Sequence, residues 1–219
     1  AASSYFDRQT DGFVDSTPTA SGFGLPGAYA VLNSAGRSIW SSELRFASDF
    51  EGPLQFVLGA SYQDDDNEYE NIVSQTDANT VPDCNRYASC VAQGLATKIV
   101  SARHVNSPLK STAVFGEANY KVTDQLTFTA GIRRFDSKQH NTEFTLQSLR
   151  FPSPNPASVQ AAPTVALDAK VKQSKTSFNF AMAYEPSSAL TFYARAASGF
   201  RQGGINNAAF AANFGTTIP

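Results

Sequence analysis

The sequence has no long apolar run, and no stretch approaches the about 18 consecutive apolar residues of a membrane-spanning helix. Charge is also scarce: Asp, Glu, Lys and Arg make up 16% of the 219 residues, against about 25% in an ordinary soluble domain. The net charge of −2 argues against a nucleic-acid-binding protein, which needs a basic surface. Apolar residues reach 42% and aromatics 12%, which excludes a disordered chain. A globular domain or a β-barrel remains.

The ends of the sequence carry no recognisable leader or anchor. The first residues have no basic and apolar signal-peptide pattern, and the last are small and polar. We therefore expect 1–219 to be an internal part of a longer chain. Its two cysteines, Cys84 and Cys90, lie in a segment rich in turn-forming residues. A disulfide between them is favoured over two unrelated thiols or half a metal site, and it would indicate an oxidising compartment.

Alternation of apolar and polar residues is the dominant local pattern. It indicates β-strands with one apolar and one polar face, and no helix is predicted. We predict seven strands, the first of them short, around 3–8, 40–50, 54–63, 113–122, 126–136, 177–185 and 190–201.

The predicted strands are joined alternately by short and long connections. The short ones are 51–53, 123–125 and 186–189, and the long ones are 14–39, 64–109 and 140–173. A β-sandwich is not expected to alternate in this way. Outer-membrane barrels have short periplasmic turns and long extracellular loops, so the pattern favours an all-β, antiparallel transmembrane barrel.

The placement of aromatic residues supports the same interpretation. On the apolar face they collect near both strand ends, as at the two interfaces of a lipid bilayer, whereas a soluble sandwich buries them in mid-strand. The predicted belts contain Trp40, Phe50, Tyr62, Tyr120, Phe128, Tyr184, Phe192 and Phe200. The other face carries charges that would line a barrel lumen or, in a soluble protein, a solvated sheet surface.

Three segments of the sequence resemble one family of outer-membrane proteins. Residues 41–63, 111–139 and 180–206 are similar, in order and spacing, to the barrel strands of TonB-dependent receptors. The resemblance implies a barrel of about 22 strands filled by a plug domain. It also implies active uptake of a scarce nutrient, commonly a ferric siderophore, across the outer membrane of a Gram-negative bacterium. Residues 1–219 would then be a partial barrel domain without the plug, the TonB box and the C-terminal strands.

Four residues on the charged face are candidate ligand contacts: Arg133, Tyr193, Arg195 and Arg201. Guanidinium groups suit anionic chelates. The alternative is that these arginines pair with Glu43, Glu117 and Glu185 or with the plug. The acidic run 64–70 is expected in a loop, where it would bind a divalent cation or be simply solvated. No catalytic or cofactor motif is present, so an enzyme is not expected.

Three functions remain open from the sequence. The first is a receptor that binds a metal chelate or other small molecule and imports it through TonB, which would contact the missing N-terminal region. The second is a passive porin, and the third is a soluble β-sandwich binding module. For either membrane protein the partners include outer-membrane lipid and lipopolysaccharide.

Overall fold

A computed structural model describes residues 1–22, 27–76, 84–95, 98–147 and 164–203. These residues form one antiparallel sheet and two short helices. The prediction of no helix was incomplete, since both helices have six residues and lie in the long connections. The elements are β1 (Ala2–Asp15), α1 (Thr17–Gly22), β2 (Ala28–Ala47), β3 (Leu54–Thr76), α2 (Tyr87–Ala92), β4 (Ile99–Asn106), β5 (Leu109–Thr123), β6 (Leu126–Gln147), β7 (Thr164–Ser187) and β8 (Leu190–Ala197).

The eight strands occupy seven rows of the sheet, because β4 and β5 lie end to end between β3 and β6. The break falls at Pro108, which has no N–H to donate to the ladder. The ladder nevertheless continues past it: the Ser107 N–H donates to Asn67 O at 2.8 Å and the His140 N–H donates to Pro108 O at 3.1 Å. Each of the seven predicted strands thus corresponds to one row, and the eighth strand, β4, lies in the connection 64–109 that was predicted as a loop.

Tight turns join the strands at one end of the sheet. Only Asp124 and Gln125 separate β5 from β6, and only Ser188 and Ala189 separate β7 from β8. The β2–β3 turn is longer and is held by the Gln55 side chain, which accepts from the Ser48 hydroxyl at 2.9 Å and from the Phe50 N–H at 3.2 Å. The predicted short turns are confirmed at all three places.

The strands extend much further into the predicted long connections than the sequence indicated. β3, β6 and β7 have 23, 22 and 24 residues, about twice the 9–11 that cross a bilayer. The prediction failed there because both faces of these segments carry polar residues, so the apolar alternation disappears although the backbone ladder continues. We call this part of the sheet the extension. It consists of β4 and of the strand residues that lie farther from the tight turns than Trp40 on β2, Tyr62 on β3, Val114 on β5, Ile132 on β6 and Phe178 on β7.

In the part of the sheet nearer the turns, one face is apolar and exposed. Leu44 and Phe46 on β2, Leu58 on β3 and Phe180 on β7 are each more than half exposed. No second layer of the described residues covers this face, which argues against the β-sandwich alternative. We call it the apolar band: the even-numbered residues of 40–46, 54–62, 114–122, 126–132, 178–184 and 190–196.

The edge of the apolar band runs obliquely across the strands. Its last apolar residues are Trp40, Tyr62, Val114, Ile132 and Phe178 on β2, β3, β5, β6 and β7. The edge moves toward the turns by two residues from β2 to β3, from β3 to β5 and from β5 to β6, and it does not move from β6 to β7. The total displacement is six residues over four strand spacings. With about 3.4 Å per residue and 4.8 Å per strand, the slope is about 45°. Strands of membrane barrels are tilted by about 35–45°.

The aromatic residues predicted for the belts lie mostly along the two edges of this band. Trp40 and Tyr62 pack together at the extension edge, with ring centroids 5.5 Å apart. At the turn edge Tyr120 is paired directly with Phe128, and Tyr184 with Phe192, while Phe50 packs against Phe56 on the same face with ring centroids 5.8 Å apart.

The prediction for Phe200 is wrong. The chain leaves β8 after Ala197, and the Phe200 ring packs on Phe135 with centroids 5.1 Å apart. Phe135 is an odd-numbered residue of β6, so this contact lies on the opposite face of the sheet. Alternation no longer holds once a strand has ended, which is why parity misplaced this residue.

The buried apolar residues of the described chain lie in the extension and in the two helices. Leu32, Ile72, Ile99 and Ala102 form a small cluster with Cys90 of α2. At the other helix, the Thr17 N–H donates to Asp15 Oδ1 at 2.9 Å and thereby lowers the pKa of Asp15. Neither helix is long and apolar enough to cross a membrane.

Candidate functional site

The charged face, which carries the odd-numbered residues of β2, β3, β5, β6, β7 and β8, holds an arginine–phenylalanine row. Arg45, Gly59, Phe115 and Arg133 lie directly opposite one another on four neighbouring strands. The guanidinium carbon of Arg45 is 5.8 Å from the Phe115 ring centroid and that of Arg133 is 5.4 Å away. Each contact is within the range of a cation–π interaction. The row therefore holds two positive charges on either side of one aromatic ring.

Gly59 makes this arrangement possible. The Phe115 ring lies over it, and a Cβ at this position would be 2.3 Å from the nearest ring atom. Any larger residue would push the ring away and change the distance to both arginines. The row thus depends on a glycine in mid-strand, where glycine commonly marks a close approach of another group.

A second polar chain on the charged face connects β5, β7 and β8. Asn179 donates from its amide nitrogen to Glu117 Oε2 at 3.1 Å and accepts at its amide oxygen from Arg195 Nε at 2.8 Å. Gly131 lies between Glu117 and Asn179 on the intervening strand and leaves room for both side chains. The carboxylate and the guanidinium are thereby linked through one amide without direct contact.

The structure brings only some of the predicted site residues together. Arg133, Glu117 and Arg195 lie on the charged face within the two arrangements above, while Glu43 forms an ion pair with Arg45 on its own strand.

Tyr193 is paired with Ala183 near the turn end and is 84% exposed. Glu185 and Arg201 are exposed and lie outside both arrangements, near a turn and beyond β8. The predicted pairing of arginines with Glu117 is therefore indirect, and the assignment of ligand contacts stays a prediction.

The charged face continues into the extension with two ion pairs whose carboxylates are buried. Arg37 donates to both carboxylate oxygens of Asp65, at 2.9 and 2.6 Å, and Asp65 is only 4% exposed. Arg103 Nη1 is 3.6 Å from Glu143 Oε1, and Glu143 is buried as well. The Arg37–Asp65 pair is bidentate, which fixes the geometry of both side chains. Arg103 and Glu143 make no such pair, since Arg103 Nε and Glu143 Oε1 are buried without a hydrogen-bond partner among the described residues.

A disulfide closes the short segment that carries α2. The bond joins Cys84 and Cys90, whose Cα atoms are 5.2 Å apart. The segment is attached to β3 by polar contacts: Glu68 forms an ion pair with Arg86, and Glu70 accepts from the Tyr87 N–H. The hydrogen bond to Glu68 is the main reason that the pKa of Arg86 is raised. Closing so small a loop is worth about 2 kcal/mol in the chain-entropy account.

The acidic run 64–70 does not form the predicted loop. It is a continuous part of β3, so successive carboxylates point to opposite faces of the sheet. Asp64 pairs with Lys110 at 2.8 Å, Asp65 with Arg37, and Glu68 with Arg86. Within the described ranges of the chain, no group of three or more His, Cys, Asp or Glu residues could hold a metal ion. The hypothesis of a divalent-cation loop is therefore not supported.

Sequence reasoning missed Phe115 as a site residue. It is aromatic but has the odd parity of the charged face, and apolar periodicity alone ignores such a residue. The signal that could have found it is the combination of a bulky ring on β5 and a glycine at the same height on β3, which becomes visible only when the two strands are aligned.

Comparison with known protein families gives one extensive match. The family model for the β-barrel of TonB-dependent receptor-like proteins matches residues 1–218. No curated protein sequence matches the chain.

Two receptors are among the solved structures that are similar to this chain. The ferric yersiniabactin uptake receptor FyuA from Yersinia pestis has 13% identity and a TM-score of 0.56, with 78% of this chain and 22% of that chain covered. The ferric-catecholate import receptor Fiu from E. coli K12, in its closed form, has 10% identity and a TM-score of 0.45, with 83% and 26% covered. This chain thus spans about a quarter of the length of those receptors.

Proposed function

Since the chain belongs to the family of TonB-dependent receptor-like β-barrels, we propose that it is part of the wall of an outer-membrane receptor that imports a nutrient with energy supplied through TonB. The family consists of receptors and not of enzymes. Seven rows of strands amount to about a third of a 22-strand wall. The plug, the TonB box and the remaining strands of such a receptor would then belong to other parts of the full-length protein.

The exposed apolar band carries this proposal. An exposed face of Leu, Ile, Val and Phe side chains, bordered by aromatic residues and oblique to the strands, is suited to the hydrocarbon core of a bilayer. The hydrogen-bonded ladder satisfies the backbone groups between neighbouring strands, as a membrane requires. The opposite face would then line the lumen of a closed barrel in the outer membrane of a Gram-negative bacterium.

The arginine–phenylalanine row is the proposed lumenal contact. Arg133 has no carboxylate partner among the described residues, unlike Arg45, which pairs with Glu43. An unpaired guanidinium beside an aromatic ring suits either an anionic, ring-containing ligand or an acidic group of the plug. A ferric siderophore or a similar chelate is the ligand class that fits this chemistry and the family.

Uptake of radioactive iron tests the proposal. The full-length protein would be produced in a Gram-negative host that lacks its own chelate receptors, and iron would be supplied as a ferric catecholate or a ferric carboxylate chelate. We expect uptake of at least one chelate that requires both this protein and TonB. Uptake that persists without TonB, together with a steady open conductance in planar bilayers, would instead identify a passive porin.

The role of Arg133 has a matched control in its neighbour. Arg134 has the same charge but lies on the opposite face, paired with Thr176. We expect Arg133→Gln to raise the chelate concentration needed for half-maximal uptake if the row contacts ligand, or to create a leak conductance if it contacts the plug. Arg134→Gln should do neither. If the two variants behaved equally, the proposal that the arginine–phenylalanine row faces the lumen would be contradicted.

A further inference from the structure

Six uncharged polar side chains form a straight row across the charged face. Each lies directly opposite the next on neighbouring strands, in the order β1, β2, β3, β5, β6 and β7: Ser4, Ser41, Gln63, Ser111, Ser137 and Gln173. We call them the serine–glutamine row. Five strand spacings make it about 24 Å long. On β2, β3, β5 and β6 it lies four residues, or about 14 Å, from the arginine–phenylalanine row.

Most hydrogen-bonding groups of the serine–glutamine row have no partner in the sheet. Ser4 and Ser41 bond to each other, with their hydroxyl oxygens 2.7 Å apart. The side chains of Gln63, Ser111 and Ser137 form no hydrogen bond with any described residue, although Ser137 is only 6% exposed. Buried polar groups in proteins almost always have a partner. The row therefore offers several donors and acceptors to a molecule in front of the charged face.

A groove of about 350 Å³ contains part of the row. Its lining includes Ser41, Gln63 and Ser111, and it reaches Arg133 and Phe135 of β6. A volume in this range is typical of small-molecule sites. One groove thus combines uncharged hydrogen-bonding groups with an aromatic ring and with a guanidinium that has no carboxylate partner in the described chain.

The charges around the groove determine which part of a ligand fits the row. The row itself has no formal charge, and Glu43, which borders the groove, is already paired with Arg45. An ion placed on the row would lose water without gaining a counter-charge. A ligand part bound there must therefore be uncharged and must both donate and accept hydrogen bonds, as hydroxyl groups do.

The aromatic ring at the end of the groove narrows the choice further. Phe135 lies two residues from Ser137 on the same face of β6, and its ring packs against Phe200 with centroids 5.1 Å apart. The ring is thereby held beside the row. A sugar has hydroxyls along its edges and apolar C–H groups on its ring faces, so it matches both the row and the aromatic ring.

We propose that the serine–glutamine row binds an uncharged sugar that is part of the imported molecule, while Arg133 binds the anionic part. The nutrient is accordingly a glycosylated chelate. The inference rests on the proposed function, which makes the charged face the lining of the lumen. The sugar hydroxyls bond Gln63, Ser111 and Ser137, and one face of the sugar ring contacts Phe135.

Binding of two probe chelates to the full-length protein in detergent tests this proposal. The probes are a ferric tris-catecholate and the same chelate with glucose attached to its catechol rings, and calorimetry measures both affinities. We expect the wild type to bind the glucosylated probe about 25-fold more tightly, about fivefold for each of two neutral hydrogen bonds. Ser111→Ala with Ser137→Ala should bind both probes equally. The matched control, Thr112→Val with Thr142→Val, removes two hydroxyls from the other face of β5 and β6 and should keep the preference.

A second variant makes the test independent of the buried serine. Gln63→Leu changes a half-buried side chain of the groove and should weaken binding of the glucosylated probe alone, by about fivefold. Heat-modifiable migration on SDS gels shows whether each variant is still a closed barrel.

The outcomes separate this proposal from the proposed function. Equal affinity of the wild type for the two probes, binding of neither probe, or the same loss of preference in the Thr112→Val, Thr142→Val control would overturn the sugar site alone. A preserved preference for the glucosylated probe, together with uptake that does not need TonB, would support the sugar site and overturn the proposed function.

Discussion

The apolar band and the extension are parts of the same strands, yet their stability depends on different interactions. In the band, large apolar side chains are exposed on one face and have no partner layer in the described chain. In the extension, small apolar clusters are buried under α1 and α2, and buried carboxylates are paired with arginines. The difference shows that the surroundings change along each strand, at the oblique edge of the apolar band that runs from Trp40 on β2 to Phe178 on β7.

This comparison predicts that one charge has very different effects in the two regions. Leu58→Arg places a guanidinium in the middle of the band and should destabilise the inserted protein by about 2–4 kcal/mol. Asp66→Arg, on the same face of β3 but in the extension, should change stability by less than about 0.5 kcal/mol. Urea unfolding of the full-length protein in lipid vesicles measures both. Equal effects would show that the band is not in contact with lipid.

Loss of the disulfide should lower local stability only in the extension, where the α2 segment is attached. Replacing Cys84 and Cys90 by Ser should weaken the attachment of the α2 segment by about 2 kcal/mol because the open chain gains entropy. Hydrogen exchange of α2 should become faster, while exchange in the band on β6 and β7 stays unchanged. Faster exchange in the band would mean that the two regions unfold as one unit.

The ion pair between Arg37 and the buried carboxylate of Asp65 provides the smallest effect. Arg37→Met leaves the buried Asp65 carboxylate without its guanidinium partner and should lower the free energy of unfolding by about 1 kcal/mol. This is at the low end for an unsatisfied buried group, because Arg37 is half exposed and water can reach the carboxylate. Adding Asp65→Asn should restore most of the loss. The same urea unfolding assay applies, and an additive double variant would show that the pair does not couple the strands.

The fold class followed from local features of the sequence. Alternation identified the strands that cross the apolar band, and the short turns near Pro53, Asp124 and Ser188 set their order. The ends of the strands could not be predicted from the sequence, because apolar periodicity vanishes in the extension, where both faces are polar. The predicted loop at 64–70 failed for this reason, since it is part of β3. The prediction for Phe200 failed for another reason: β8 has already ended at Ala197, so parity no longer places the ring.

The candidate site was only partly predictable. Arg133, Glu117 and Arg195 were assigned to the charged face by their parity, which is a local property. Phe115 was missed, and Arg133 packs against it without a glutamate partner. Such partners depend on register, which is set by hydrogen bonds between strands that are distant in sequence.

The sequence by itself determined that this chain forms strands with one apolar and one charged face, joined by tight turns at one end. It could do so because side chains alternate along every strand and because turn residues act over a few positions. Only the tertiary structure decided which side chains meet across strands: the arginine–phenylalanine row, the polar chain from Glu117 to Arg195 and the disulfide-closed segment on β3. Neighbouring strands are placed by a ladder of non-local hydrogen bonds, and a shift of one residue would exchange the two faces.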